Sequence, residues 1–236
     1  MKFNTIATIL VSITLLLQAC IKPSDPNPVA LKDKILVDAS KDGGVWWYPQ
    51  TGLTGDANAY HQGKKMADYL RSLGYQVDEL SRGTTITWPL LKQYTKVIRA
   101  GGFGNYSSGE ILAYDSFLNR SSSLMLLQDH LTNYSNDLLS EHLGVKFAGA
   151  ETGNVTKFTA HPITTGVTNY DFMAGSIVAN ATKNSNMTVL GWLGRNDYPV
   201  MGILHHPTAR IFFLGEMNGL EQVPQPLSAN IIKWLY

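Results

Sequence analysis

The chain holds a single cysteine in 236 residues, Cys20. No intrachain disulfide can form, and no cysteine cluster can hold zinc or an iron–sulfur centre. Charge is also scarce: 16% of the residues are charged, 19 basic against 18 acidic. That balance lacks the basic excess of a nucleic-acid binder and the like-charge runs of a disordered tail. No apolar run reaches the roughly 20 residues a spanning helix needs. No G-x-S-x-G, H-E-x-x-H or G-x-G-x-x-G pattern occurs, so serine-elbow, zincin and dinucleotide signatures are missing. What remains is a chain 44% apolar, long enough for one sizeable domain.

The N-terminus has the longest uncharged stretch. Met1–Asn4 carries one Lys, and Thr5–Leu17 is apolar and uncharged. At 1.5 Å per residue this helix would span roughly 20 Å, short of a bilayer core of about 30 Å. It fits the apolar region of a signal peptide, residues 1–19. Leu17-Gln18-Ala19-Cys20 then resembles the bacterial lipobox. The resemblance implies a lipid on Cys20 and partnership with a membrane; several acyl chains anchor stably where one does not. Residues 20–33 contain Pro23, Pro26 and Pro28 and read as an extended tether of roughly 40 Å at about 3.1 Å per residue. By resemblance to the lipoprotein sorting rule, Ile21 rather than Asp after the cysteine favours the outer membrane over the inner, within a cell-envelope location. Six Asn-x-Ser/Thr sequons, at Asn105, Asn119, Asn133, Asn154, Asn180 and Asn186, fit a Ser/Thr/Asn-rich surface.

Residues 34–236 read as one domain. Lys34–Asp38 is an apolar strand ending in an acid, and Ala39–Asn58 a long loop carrying Trp46-Trp47-Tyr48. Ala59–Leu73 has helical spacing, Tyr75–Leu80 alternates like a strand, and Thr85–Tyr94 reads as a short helix. Lys96–Ala100 is a third strand, closed by Gly101-Gly102-Phe103-Gly104. Ser107–Asn119 is a helix that Ser107 or Ser108 can cap. Ser123–Gln128 is a fourth strand and Tyr134–Leu143 a further helix. This β-α alternation predicts a parallel sheet with helices on both faces. Extended segments follow at Val145–Ala148, Val155–Phe158, Ser176–Ala179, Thr188–Leu193, Val200–Leu204 and Arg210–Leu214, before a closing helix, Leu227–Leu235. The fold class expected is α/β, flavodoxin-like, three-layer and doubly wound, with a mostly parallel sheet and extra C-terminal strands.

In such a sheet, ligands bind beyond the carboxyl ends of the strands. The residues expected there are Asp38, Gly101 and Gly102, Asp129 and His130, and Glu216 with Asn218. Converging carboxylates are costly to bury unless paired, hydrogen-bonded or bound to a cation. Asp38, Asp129, His130 and Glu216 are therefore candidate catalytic residues. Gly101, Gly102, Asn218 and Trp47 are candidate ligand-binding residues. Asp38 and Asp129 can equally cap loops or helix starts, and the glycines can equally form a tight turn. His161 reads as a loop residue bonding backbone. His205 and His206 point to opposite faces of a strand and chelate poorly, so no metal and no cofactor is expected.

The stretches KILVDAS, MADYLRSLGYQVDEL, VIRAGGFGNYSSGEILAYDSFLNRSSSLMLLQDH, LSEHLGVKF, HPITTGV and RIFFLGEMNGLE with NIIKWL together resemble the class I glutamine amidotransferase-like superfamily. The likeness is greatest to its non-amidotransferase branches, ThuA-like and gliding-motility-auxiliary-like. Amidotransferase chemistry there needs a nucleophilic Cys on a strand-to-helix elbow and a His-x-Glu pair near the C-terminus. Here the elbow carries Gln128-Asp129-His130, and Leu214 stands two residues before Glu216. Residues 34–236 contain no thiol to attack a glutamine amide, which excludes that reaction. Two readings remain. One is an anchored lipoprotein with a degenerate site that binds a small polar ligand, a glycan or an envelope protein. The other is a carboxylate-based hydrolase or isomerase acting on a carbohydrate or related metabolite.

Overall fold

The computed structural model describes residues 34–41, 63–80, 82–102, 104–131, 137–218 and 223–236. The signal segment, Cys20, the tether and Trp46-Trp47-Tyr48 lie outside the described residues. Within them run β1 (Lys34–Asp38), α1 (Lys64–Ser72), β2 (Gln76–Leu80), α2 (Trp88–Leu91), β3 (Lys96–Arg99), α3 (Ser108–Leu118), β4 (Ser122–Leu127) and α4 (Leu138–His142). Then come β5 (Phe147–Phe158), β6 (Tyr170–Val178), β7 (Met187–Leu193), β8 (Tyr198–His205), β9 (Ala209–Leu214) and α5 (Pro226–Leu235). The fold is mixed α/β, built on a nine-stranded sheet in the order β2-β1-β3-β4-β9-β8-β7-β5-β6.

The sheet has two halves that meet at β9. β2, β1, β3, β4 and β9 pair in parallel, and β9, β8, β7, β5 and β6 pair antiparallel. The sheet is thus evenly divided rather than mostly parallel. Chain spacing explains the switch. Only residues 206–208 separate β8 from β9, and 194–197 separate β7 from β8. Such links close hairpins, whereas a parallel crossover needs a dozen or more residues. The left-handed backbone of Asp197 (φ 50°) completes the turn between β7 and β8.

β1, β3 and β4 are buried almost throughout because both of their faces are covered. Ile35, Val37, Ile98, Met125 and Phe212 face one cluster, with Met66, Ala67 and Leu70 of α1 and Leu227, Ile231 and Leu235 of α5. Leu36, Val97, Leu124, Leu126 and Phe213 face the other, with Leu91 of α2, Ala113, Tyr114 and Phe117 of α3 and Leu139 of α4. Each fully buried large side chain contributes about 1.5–3 kcal/mol.

Some boundaries differ from the sequence expectation. Phe147 and Ala148 of the expected Val145–Ala148 strand and all of Val155–Phe158 belong to one long strand, β5, whose pairing with β6 carries register shifts. β6 starts at Tyr170, earlier than Ser176, because Tyr170 and Phe172 are buried facing inward. The Thr85–Tyr94 helix contracts to α2. No helix among the described residues is long and apolar enough to cross a membrane.

Candidate functional site

The strand order reverses between β1 and β3, which places a topological switch point at their carboxyl ends. Asp38 and Arg99 are register partners there. Asp38 is fully buried. Its Oδ1 accepts from the Ser40 backbone N–H at 2.9 Å. Its Oδ2 accepts from the hydroxyls of Tyr106 at 2.9 Å and Tyr114 at 2.6 Å. The two rings meet edge to face at 5.8 Å. Burial, reinforced by the Asp38 charge, pushes both phenols well above their ordinary range. They therefore stay protonated and donate. Three donors thus satisfy a carboxylate that burial would otherwise penalise.

Beside it lies a cluster that reading the sequence did not find. Arg99 is fully buried, and its Nη2 sits 2.6 Å from Asp137 Oδ2 and donates to Ser140 Oγ at 2.8 Å. Burial alone would lower the guanidinium pKa, but the Asp137 charge opposes it and prevails. Asp137 also accepts from the Ser140 backbone N–H and hydroxyl, capping α4. Gln128 Nε2 donates to Asp137 Oδ2 at 2.8 Å, while its Oε1 accepts from the backbone N–H groups of Gly102 and Asp129, both at 3.0 Å. Gly102 must be glycine, since a Cβ there would lie 2.3 Å from Arg99 Nη1, 2.5 Å from Asp137 Oδ2 and 2.5 Å from Gln128 Nε2. Gly101, also buried, turns the chain with φ 57°. Arg99 Nε and Nη1 have no hydrogen-bond partner among the described residues. The legible signal was a charge inside an apolar strand run, Val97-Ile98-Arg99-Ala100, which demands a buried counter-charge.

The remaining candidates sit on β4 and β9. Asp129 Oδ1 accepts from the His130 backbone at 2.6 Å and lies 2.9 Å from its Nδ1. The Asp129 side chain is 4% exposed and that of His130 49%. The Asp129 carbonyl accepts from Ser176 Oγ at 2.7 Å, and Ser176 Oγ in turn accepts from the Leu131 N–H. Glu216 is fully buried and accepts a hydrogen bond from the Tyr170 hydroxyl. Burial first, then the Glu216 charge, raises that phenol well above its ordinary value. The approach of β6 to the end of β9 is close: a Cβ on Gly215 would lie 1.8 Å from the Ser176 carbonyl oxygen. Asn218 is half-buried, with Oδ1 lacking a partner among the described residues. Trp47 lies outside the described residues.

The structure therefore gives Asp38 and Asp129 separate sets of partners, and Glu216 a tyrosine of its own. Four surface cavities among the described residues, of 350 to 660 Å³, are lined by other residues than these acids. Among the described residues, no group of three or more His, Cys, Asp or Glu could hold a metal ion. His161 Nδ1 accepts from the Ile163 N–H at 3.2 Å, capping the turn Pro162–Thr164. His205 pairs with Thr188 and His206 with the Ala209 N–H, so neighbouring turns and strands use the two histidines separately.

No family model matches the chain, and no curated protein matches it by sequence. Solved structures do match its fold. The mmIFT52 N-terminal domain is 13% identical, with TM-score 0.61 over 86% of this chain and 96% of that one. A protein from Bacteroides uniformis described as ThuA-like is 14% identical, with TM-score 0.58 over 86% and 90%. A β-galactosidase from Bacillus circulans sp. alkalophilus is 12% identical, with TM-score 0.54 over 86% of this chain and 31% of that one. At these identities the likeness is one of fold, and the neighbours include ThuA-like proteins.

Proposed function

We propose that this chain is a lipid-anchored envelope protein whose globular part is a non-catalytic binding domain for a polar ligand, a glycan foremost. In this reading the domain is a flavodoxin-like, doubly wound, three-layer member of the glutamine amidotransferase-like superfamily. The strand order 2-1-3-4, helices contributing to apolar clusters on both sheet faces and the ThuA-like neighbours support it. One observation carries the functional part. Each acid at the strand ends, where this scaffold would do chemistry, is buried and held by hydrogen bonds from the protein itself. A carboxylate so engaged is poorly placed to take a substrate proton.

The test is a thermal-shift screen of the full chain in detergent against neutral and acidic sugars, nucleotides and divalent metals, with assays for turnover of each hit. A ligand that binds raises the melting temperature by mass action. The reading expects at least one sugar to stabilise without being consumed; turnover of that sugar would overturn it. Anchoring is tested separately by palmitate labelling, which Cys20→Ser should abolish.

A second reading, a hydrolase or isomerase acting on a carbohydrate, draws on one feature. A half-exposed imidazole with Nδ1 against a buried carboxylate, as in His130 and Asp129, is the arrangement of an oriented general base. If it operates, His130→Ala abolishes turnover of the hit while leaving its binding intact.

A further inference from the structure

The opposite edge of the sheet, at the amino ends of the parallel strands, is built differently. Three cavities lie there, and Arg210, near the start of β9, lines all of them. The first, about 590 Å³, lies between the starts of β3, β4 and β9 and the end of α5, with Lys96, Ser122, Ser123 and Tyr236 in its wall. The second, about 660 Å³, is lined by His161, Asn230, Lys233 and Trp234. The third, about 490 Å³, adds Asn186, His205 and His206 and shares Trp234 with the second. The edge is continuous because β5 and β7 run opposite to each other, which brings the end of β5 and the start of β7 beside the start of β9.

The chemistry of this edge is one-sided. No Asp or Glu side chain is among the residues lining the three cavities, whereas Lys96, Arg210 and Lys233 are. Arg210 and Lys233 are exposed. Arg210 is held in place by Nη1 donating to the Trp234 carbonyl at 2.8 Å, so its charge is fixed at the junction. Hydroxyls and imidazoles line the same cavities as the cations, and Trp234 presents a half-buried aromatic ring that His161 meets edge on at 5.6 Å. In the wall of the first cavity the Ser122 and Tyr236 hydroxyls are both buried and have no hydrogen-bond partner among the described residues. Buried polar atoms are seldom left so, and both residues belong to the cavity wall.

We propose that this edge is a binding groove for an acidic glycan strand, one bearing uronate or sulfate groups, with Arg210 at its centre. Three adjoining cavities suit a chain of sugar units better than a single small molecule. Several cations along one edge suit repeated negative charge, and the indole of Trp234 suits the face of a sugar ring. The overall charge of only +1 speaks against nucleic acid, which is bound chiefly through many phosphate contacts. The inference rests on the binding reading above and adds the place and charge of the ligand.

The test is calorimetric titration of the full chain in detergent with a polygalacturonate oligosaccharide, a sulfated oligosaccharide and a neutral mannose oligosaccharide, at low and high salt. The wild type should bind one of the acidic oligosaccharides, more weakly at high salt. Arg210→Gln/Lys233→Gln should weaken that binding at least tenfold with an unchanged melting temperature, and Ser122→Ala severalfold. Single-stranded DNA and vesicles containing phosphatidylglycerol are run beside them, the vesicles against neutral ones to remove any contribution of the anchor. Equal binding of the neutral oligosaccharide, no effect of the double variant, or tighter binding of DNA or anionic vesicles would each overturn the groove. A sugar that binds wild type and double variant alike leaves the binding reading standing while removing this site. Turnover of a sugar whose binding the double variant abolishes does the reverse.

Discussion

The two ends of the sheet carry opposite kinds of polarity. At the carboxyl end, Asp38, Arg99, Asp137, Gln128 and Glu216 are almost wholly out of contact with solvent, and protein donors answer each carboxylate. At the amino end, cations and hydroxyls line cavities, with the Ser122 and Tyr236 hydroxyls buried and without a hydrogen-bond partner among the described residues. The carboxylates of the carboxyl-end network have protein donors, while Arg99 Nε and Nη1, Ser40 Oγ and Asn218 Oδ1 beside them have no hydrogen-bond partner among the described residues. What distinguishes the amino end is its cavities lined by Lys96, Arg210 and Lys233. Among the described residues, the cation-lined cavities lie at the opposite end of the sheet from the topological switch point between β1 and β3.

The comparison can be broken most sharply at Asp137. Asp137→Ala leaves Arg99 buried without its counter-charge and should cost about 3–5 kcal/mol, at roughly 2–4 °C of melting temperature per kcal/mol for a domain of this size. Arg99→Met/Asp137→Leu, which removes both charges, should recover most of that loss in urea unfolding. A loss under about 1 kcal/mol in the single variant would show that the cluster is not structural.

Tyr114→Phe takes one of three donors from Asp38 and should cost about 1–3 kcal/mol, read in the same unfolding assay without any change in ligand titrations. A weakened ligand titration would return Asp38 to the binding site.

The capping box of α3 tests a smaller effect and its pH dependence. Ser107 Oγ accepts from the Glu110 N–H while Glu110 accepts from the Ser107 N–H, and Glu110 also accepts from the Ile86 N–H and pairs with Lys41 at 3.0 Å. Burial pushes this carboxyl up, but the two backbone hydrogen bonds and the Lys41 ammonium together hold it below its ordinary value. Its folded pKa lies below its unfolded one, so its stabilisation is complete above the ordinary carboxylate range and fades as pH falls toward the folded value. Glu110→Gln should cost about 1 kcal/mol at neutral pH and flatten the acid limb of the stability curve. An unchanged acid limb would remove Glu110 from that account.

The least effect on folding is expected at the other end. Arg210→Gln/Lys233→Gln changes exposed side chains and should stay within about 0.5 kcal/mol of wild type. A larger loss would mean that Arg210 mainly serves the end of α5, through its bond to the Trp234 carbonyl.

Much of the architecture could be read before the fold was known. Lys34–Asp38 and the 96–99 run are strands because their apolar residues are continuous, and Ser107 caps α3 through a Glu three residues on, a pattern visible in the sequence. The short links at 194–197 and 206–208 also foretell hairpins, a signal that the alternation of the first half obscured. The partners of the site residues were not legible. Asp38 ends its strand as expected, yet nothing near it in sequence marks Tyr106 and Tyr114 as its donors. Arg99 could be seen to need an anion, but not that the anion would be Asp137 at the cap of α4.

The sequence by itself determined the parallel strands, the cap of α3 and the lack of a thiol in residues 34–236, because periodicity, capping and residue chemistry act over a few neighbouring positions. Only the tertiary structure decided that the strand-end acids have tyrosine and arginine partners, and that Lys96, Arg210 and Lys233 share one edge. Those meetings depend on strand order and crossing direction, which bring together residues that no local pattern links.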